Sequence, residues 1–267
     1  MAAELDDLVA PARSGARYFR RGLEHIGGVT ELGLRAFRLS ARGRIPGQAL
    51  VDQIDEIGIA SLSVATLTAI FSSMVMSVQF AVQMGRFGAK DWVGNVVALS
   101  LTRELGPVLT ALMVGGRVGA GIAAELGSMN VTEQVDALRA MGGDPVEILV
   151  VPRVLAAIVV MPLLTAFADA LGIIGAMVIT RITSDINMTY FFNAMVQAVG
   201  VNDLVGGLVK TLFFGLLIGL IACYQGLTTS GGTEGVGRAT TQAVVVASIA
   251  VLISDFILTN ILLSFGL

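Results

Sequence analysis

Five long stretches of the chain are almost continuously apolar: Ile57–Met84, Gly94–Gly116, Val150–Ile179, Leu204–Leu227 and Ala243–Leu263. At 1.5 Å of rise per residue, about 20 helical residues cross a hydrocarbon core of about 30 Å. Each stretch meets that length, and none shows the period-two alternation of a membrane barrel strand. Backbone in lipid must satisfy its own hydrogen bonds, which leaves helices as the remaining solution. The pattern predicts five transmembrane helices.

Two segments outside the spans are also patterned. Between Pro11 and Arg44, eight arginines (Arg13, Arg17, Arg20, Arg21, Arg35, Arg38, Arg42 and Arg44) alternate with Tyr18, Phe19, Leu23, Ile26, Leu34 and Phe37. No apolar run there is long enough for a signal peptide or a span. The helical spacing favours a helix in the headgroup plane over a solvated basic tail, and Ile45-Pro46-Gly47 turns the chain toward the membrane. Between spans two and three, Asn130 followed by Glu133 resembles a capping box, with asparagine in the serine or threonine position. Val131, Val135 and Leu138 form one apolar stripe, and Gly142, Gly143 and Pro145 stop the helix. This predicts a short amphipathic helix over Val131–Met141, with Glu133, Asp136 and Arg139 on its wetter faces. Such a helix either rests on the headgroups or docks a cytoplasmic partner.

Composition agrees with a membrane solvent. Hydrophobic residues make up 55% of the 267, charged residues 14%, and mean hydropathy is +0.82, against about 25% charge in an average soluble protein. One cysteine, Cys223, excludes a disulfide scaffold and a cysteine zinc cluster, and one histidine, His25, removes most metal and acid–base chemistry. The charge of −3 is no argument for nucleic acid. With the amino terminus in the cytoplasm, the inside holds the eight arginines plus Arg117, Arg139, Arg153 and Arg238. The outside holds Arg86, Lys90 and Arg181, while Arg103 and Lys210 sit within spans. That asymmetry sets a cytoplasmic amino terminus, a cytoplasmic loop over residues 117–149 and a carboxyl terminus outside.

Familiar catalytic motifs fail on context. Residues 119–124 match a loose dinucleotide fingerprint but end a membrane helix rather than follow a strand. Gly115 with Gly119, and Gly215 with Gly219, read better as small residues that permit close helix approach. No P-loop occurs, and Ser230-Gly231-Gly232 resembles an ATPase signature loop only without its flanks. The informative residues are instead Arg103, Glu104, Asp169, Lys210 and Asp255, all placed by helix rise in the outer half of the bilayer. A charge at the bilayer centre costs about 2.5–3.5 kcal/mol or more, so these groups must face inward, pair or meet water. Neighbouring helical positions diverge, so Arg103 and Glu104 need partners on other helices, with Lys210 and Asp255 the candidates. Two polar stripes suggest an inward surface: Ser61, Thr68, Ser72, Gln79 and Gln83 in span one, and Thr241, Ser248, Asp255 and Thr259 in span five. Ser63, Thr66, Ser73 and Ser77, on the opposite face of span one, read as packing hydroxyls.

Several long runs carry a resemblance. TRELGPVLTALM (102–113), GGRVGAGIAAELGSMNVTEQ (115–134), DALRAMGGDP (136–145), VPR (151–153) and GRATTQAVVVASIAVLISDFILT (237–259) resemble the MlaE/YrbE permeases. The resemblance covers about Gln48 to the carboxyl terminus, and the first forty residues match only in character. It implies an all-α integral membrane protein: a tail and interfacial helix over 1–47, then a permease domain over 48–267. That domain has five transmembrane helices and a cytoplasmic coupling helix. It further implies a homodimer in the bacterial inner membrane that moves phospholipids or similar lipids toward or from the outer envelope. The implied partners are a cytoplasmic ABC ATPase that binds ATP and magnesium, a periplasmic MCE-domain protein and a small cytoplasmic regulatory subunit. No cofactor is expected on this chain, no enzymatic activity of its own, and no nucleic acid. The lack of a transit peptide points the same way, to a bacterium.

By motif match, the family's intramembrane charges correspond to Arg103, Glu104, Lys210 and Asp255, and Gln79 falls at a family glutamine. The coupling helix corresponds to Val131, Glu133, Gln134, Asp136, Leu138, Arg139 and Met141. Ser72-Ser73 stands where the family often has glycine. The alternative reading is a secondary transporter in which Glu104, Asp169 and Asp255 relay protons, though the chain shows no self-similar halves. A weaker one is a structural anchor for a periplasmic lipid carrier.

Overall fold

The computed structural model describes residues 23–42 and 47–264, and all regular structure in them is helical. In chain order these are α1 (23–41), α2 (Gly47–Arg86), a 3₁₀ turn (Lys90–Trp92), α3 (Val93–Ser100) and a π turn (Leu101–Leu105). There follow α4 (Gly106–Val131), α5 (Gln134–Ala140), a second π turn (Val146–Val150), α6 (Val151–Ser184), α7 (Met188–Ala198), α8 (Val201–Leu227) and α9 (Gly232–Ser264). Five continuous runs are long and apolar enough to cross a membrane: Gly47–Arg86, Lys90–Val131, Val146–Ser184, Val201–Leu227 and Gly232–Ser264. They contain the five predicted spans and outrun them. Hydropathy marks only the stretch that lipid must cover, whereas a helix continues until capping or backbone geometry stops it.

The helices meet along ridges spaced four residues apart. α2 buries Ile57, Ser61, Ala65, Ala69, Ser73, Ser77 and Ala81, mainly against α6 and also towards α4, and α9 buries Gly235, Ala239, Ala243, Ala247 and Val251 against α4 and α8. Small residues along such ridges let backbones approach closely, which replaces the hydrophobic drive that lipid cannot supply. A Cβ on Gly215 would lie 2.5 Å from the Ala157 carbonyl oxygen, and one on Gly219 3.1 Å from Val154 Cα. A Cβ on Gly115 would meet Ile218 Cδ1 at 2.7 Å, whereas Gly119 has ordinary room. The close-approach expectation therefore holds at three of the four glycines.

The same spacing corrects the polar stripes. Four residues turn about 400°, so a buried line at that spacing drifts about 40° per step away from any fixed helix face. Ser61 lies on the line, but Thr68 and Ser72 are half-buried and Gln79 and Gln83 are exposed. On α9, Thr241 is exposed and Ser248 half-buried, while Asp255 and Thr259 continue the line from Val251. Of the opposite face of span one, Ser73 and Ser77 are buried, Thr66 is half-buried and Ser63 exposed. Ser73 Oγ lies 2.7 Å from the Gly172 carbonyl oxygen of α6 and 2.6 Å from that of Ala69. Ser73→Ala should lower stability in detergent by about 0.6 kcal/mol, the usual worth of an interhelical hydrogen bond in a membrane protein. An unchanged thermal unfolding curve would mean the hydroxyl serves only its own helix.

At one end of the bundle, α1 packs on α8 and the loop before α6. The His25 ring meets Tyr224 edge-on at 5.5 Å between centroids, and Arg35 pairs with Asp144 at 2.9 Å. Leu23, Ile26, Leu34 and Phe37 stay exposed, so the helix keeps an uncovered apolar face. The rest of the predicted interfacial segment, 11–22, and the turn at 45–46 lie outside the described residues.

The predicted loop over 117–149 is largely helix. α4 continues to Val131 because its ridge still packs on α8, with Gly226 close against Leu126 and Gly127 against Thr229. The capping box does not form: Asn130 Nδ2 donates to the Thr229 carbonyl at 2.9 Å, and Glu133 turns the chain in a left-handed conformation (φ 61°) without a side-chain cap. The short helix is therefore α5, starting at Gln134 rather than Val131, and Gly142 (φ 81°) stops it as expected. At the opposite end of the bundle, α7 was not anticipated. Asn187 Oδ1 caps it by accepting from the Thr189 N–H at 2.8 Å, and Phe191 and Ala194 bury against Gly94 of α3.

Candidate functional site

Pro107 shapes the site. It has no amide hydrogen, so the Arg103 carbonyl loses its normal donor four residues on. The chain widens there into the π turn Leu101–Leu105, closed by the Gly106 N–H on the Leu101 carbonyl. The freed Arg103 carbonyl accepts from Lys210 Nζ at 3.1 Å. Lys210 can reach it because α8 presents Gly207 to this turn, where any Cβ would overlap the Thr102 carbonyl oxygen.

Lys210 is 2% exposed. Its ammonium donates to Glu104 Oε2 at 2.7 Å and to Thr259 Oγ1 at 2.7 Å, and lies 3.3 Å from Asp255 Oδ1. Three N–H donors thus face four oxygens, two of them from carboxylates. Thr259 in turn bonds the Asp255 carbonyl at 2.8 Å, holding that part of α9 in register. Glu104 retains 40% side-chain exposure, so the cluster opens outward through it. Beside it, Arg103 Nη1 pairs with Asp203 Oδ1 at 3.0 Å, and Asp203 Oδ2 accepts the Gly200 N–H at 2.8 Å at the start of α8. Arg103, Glu104, Asp203, Lys210 and Thr259 line one recess. A buried cation bracketed by two carboxylates, next to a second ion pair, can bind a charged headgroup or exchange partners as helices move.

The Lys210 ammonium thus joins Glu104 and Asp255 as expected, whereas the Arg103 guanidinium pairs with neither candidate but with Asp203, and only its backbone carbonyl meets Lys210. Asp169 stands apart on α6: it is buried against Gly106, where a Cβ would overlap its Oδ1, and that oxygen has no hydrogen-bond partner. Gln79 lines a shallow apolar groove with Phe71, Leu105 and Leu109, and Gln83 is exposed; neither belongs to the charge cluster. Asp203 was missed, although an acidic residue in the first turn of a span three residues after a glycine is a helix-start signal. Also missed was the pairing of buried Arg153 with exposed Glu125 at 2.7 Å, where Arg153 Nη1 donates to the Leu149 carbonyl at 2.8 Å. There too a proline, Pro152, follows a π turn.

Near the other end, Val131 belongs to α4, Val135 of α5 is buried and Leu138 packs toward Gly143 and Ile148. Glu133, Gln134, Asp136, Arg139 and Met141 are exposed, and Arg139 pairs with Asp136 at 2.7 Å. The outward face of α5 is therefore polar with a single large apolar residue, Met141.

The profile of the permease MlaE family matches residues 50–261. A probable ABC transporter permease protein of Rickettsia typhi is 45% identical over 213 residues, covering 80% of this chain and 82% of its own. One of Synechocystis is 44% identical over 218 residues, covering 82% and 83%. The chloroplastic protein trigalactosyldiacylglycerol 1 of Arabidopsis thaliana is 36% identical over 219 residues, covering 82% of this chain and 63% of its own. With five membrane-length helices and this likeness over most of its length, the chain belongs to the MlaE permease family and is a multi-pass membrane permease of the ABC-transporter type.

Proposed function

We propose that the chain is one half of a homodimeric ABC permease that moves phospholipid, or a similar two-tailed lipid, between the inner membrane and the outer envelope. The observation that carries the reading is the Lys210–Glu104–Asp255 cluster, ionised groups held inside a membrane helix bundle yet opening through Glu104. Apolar walls shared with a second subunit would hold acyl chains, each buried CH₂ contributing about 0.8 kcal/mol. The recess beside Arg103 would receive the headgroup or control closure. The Arabidopsis relative bears the name of a glycerolipid, which supports a lipid substrate.

In this reading α5 is the coupling helix, on the cytoplasmic side. A separate ATPase binds ATP and magnesium, docks on Gln134, Asp136, Arg139 and Met141, and transmits its closure through Val135 and Leu138 into the bundle. An MCE-domain protein receives or delivers lipid at the α7 end, where α9 also finishes, and a small regulatory subunit joins on the cytoplasmic side. Because Leu138 is packed inward, the variant that tests docking is Arg139→Glu with Met141→Asp. In proteoliposomes that carry the ATPase, it should lose at least tenfold in ATP-driven lipid transfer and lose co-purifying ATPase. Full transfer with no ATPase attached overturns the coupling role, and transfer driven by a proton gradient without ATP returns the secondary-transporter reading.

A further inference from the structure

A second polar recess lies across α4 from the first. Arg117 follows Glu104 by thirteen residues, which places it about 20 Å along the helix and about 140° around it. Where Glu104 faces α8 and α9, Arg117 lies on the α2 side, in the half of the bundle nearer α5. Glu56, Ile57 and Ser61 of α2 and Arg117, Ile122 and Glu125 of α4 line the recess.

Three features point to a ligand. Arg117 is exposed and makes no hydrogen bond or ion pair with any described residue, although two carboxylates share its recess. Ser61 is 1% exposed, and its Oγ is buried without a hydrogen-bond partner, which hydrocarbon does not tolerate cheaply. The carboxylates are held but not saturated: Glu125 Oε1 takes Arg153 at 2.7 Å, and Glu56 Oε2 takes Gln53 Nε2 at 3.3 Å. A carboxylate offers about four acceptor positions, so both keep capacity for a cation. The remaining lining is the Gln53 amide with Ala60, Val118 and Gly121.

We propose that this recess binds the headgroup of a zwitterionic phospholipid, its phosphate on Arg117 and its ammonium on Glu56 and Glu125. Ile57 and Ile122 then flank the start of the acyl chains. A guanidinium suits phosphate, and oxygen acceptors suit an ammonium, so a headgroup with both charges satisfies the recess where an anionic one satisfies half. The site would load or release lipid on the α5 side of the membrane, remote from the Lys210 recess. It rests on the permease reading for its role, but not for its occupancy.

The test is lipid retention by the full chain in detergent, read by native mass spectrometry after equilibration with phosphatidylethanolamine, phosphatidylglycerol or diacylglycerol. Phosphatidylethanolamine should be retained best. Arg117→Gln should lower that retention at least tenfold and Arg117→Lys should restore most of it. Ser61→Ala, which adds no volume, should lower it severalfold with an unchanged unfolding temperature. Equal retention in wild type, Arg117→Gln and Ser61→Ala overturns the site. Occupancy by soluble phosphoethanolamine with lipid excluded assigns it to a free phospho-amine and overturns the lipid. If vesicle transport proceeds while retention ignores Arg117, only this site falls. If retention depends on Arg117 and no lipid is ever transported, only the permease reading falls.

Discussion

Lys210→Met should remove about 3 kcal/mol of stability and abolish lipid transfer. Losing one member of a buried ion pair typically costs 3–5 kcal/mol, because the other charge is left without compensation. Here two carboxylates would be left, and the Arg103 carbonyl and Thr259 hydroxyl would lose a donor as well. The figure sits at the low end because Glu104 keeps 40% exposure and can draw water to itself. Thermal unfolding in detergent reads the first effect and proteoliposome transfer the second. Adding Glu104→Gln and Asp255→Asn to Lys210→Met should recover most of the stability, since no unpaired charge then remains. Transfer should stay absent in that triple variant. If transfer returns with stability, the cluster only locks the bundle.

Gly207→Val should cost about 3 kcal/mol, near the upper end for overpacking, and should impair transfer out of proportion to that loss. Even a Cβ would overlap the Thr102 carbonyl, so α8 must retreat from the π turn. The retreat carries Lys210, less than one turn on, away from the Arg103 carbonyl it bonds. Gly237→Ala provides the contrast: nothing lies within 4 Å of its added Cβ, and relief of glycine's backbone entropy in a helix should leave stability unchanged or up by about 0.5–1 kcal/mol. Unfolding temperatures of the two variants check the pair. Similar values for both would mean that close approach at Gly207 does not position the cluster.

Much of this was legible along the chain. The five spans, the inward pairing of Lys210 with acidic residues on other helices and the glycine contacts at Gly115, Gly215 and Gly219 all followed from length, burial cost and residue size. The polar stripes did not survive, because they assumed that a buried face keeps one helix angle. The four-residue rows of small residues in α2 and α9 were the better signal, since they mark crossed helices whose contact line winds around each axis. The capping box failed for a different reason: Asn130 found a tertiary acceptor in Thr229, and a tertiary bond outcompetes a local motif.

The amino-acid sequence by itself determined the solvent, the number of crossings and the need to shelter Arg103, Glu104, Lys210 and Asp255, because the cost of charge in hydrocarbon depends on residue type and depth alone. Only the tertiary structure decided which charge met which. It bound Lys210 to a carbonyl that Pro107 had freed, gave Arg103 to Asp203, left Asp169 against Gly106 and opened the recess at Arg117 on the far side of α4. Those outcomes depend on how closely two backbones approach and at what crossing, a property of pairs of helices that no single stretch of chain contains.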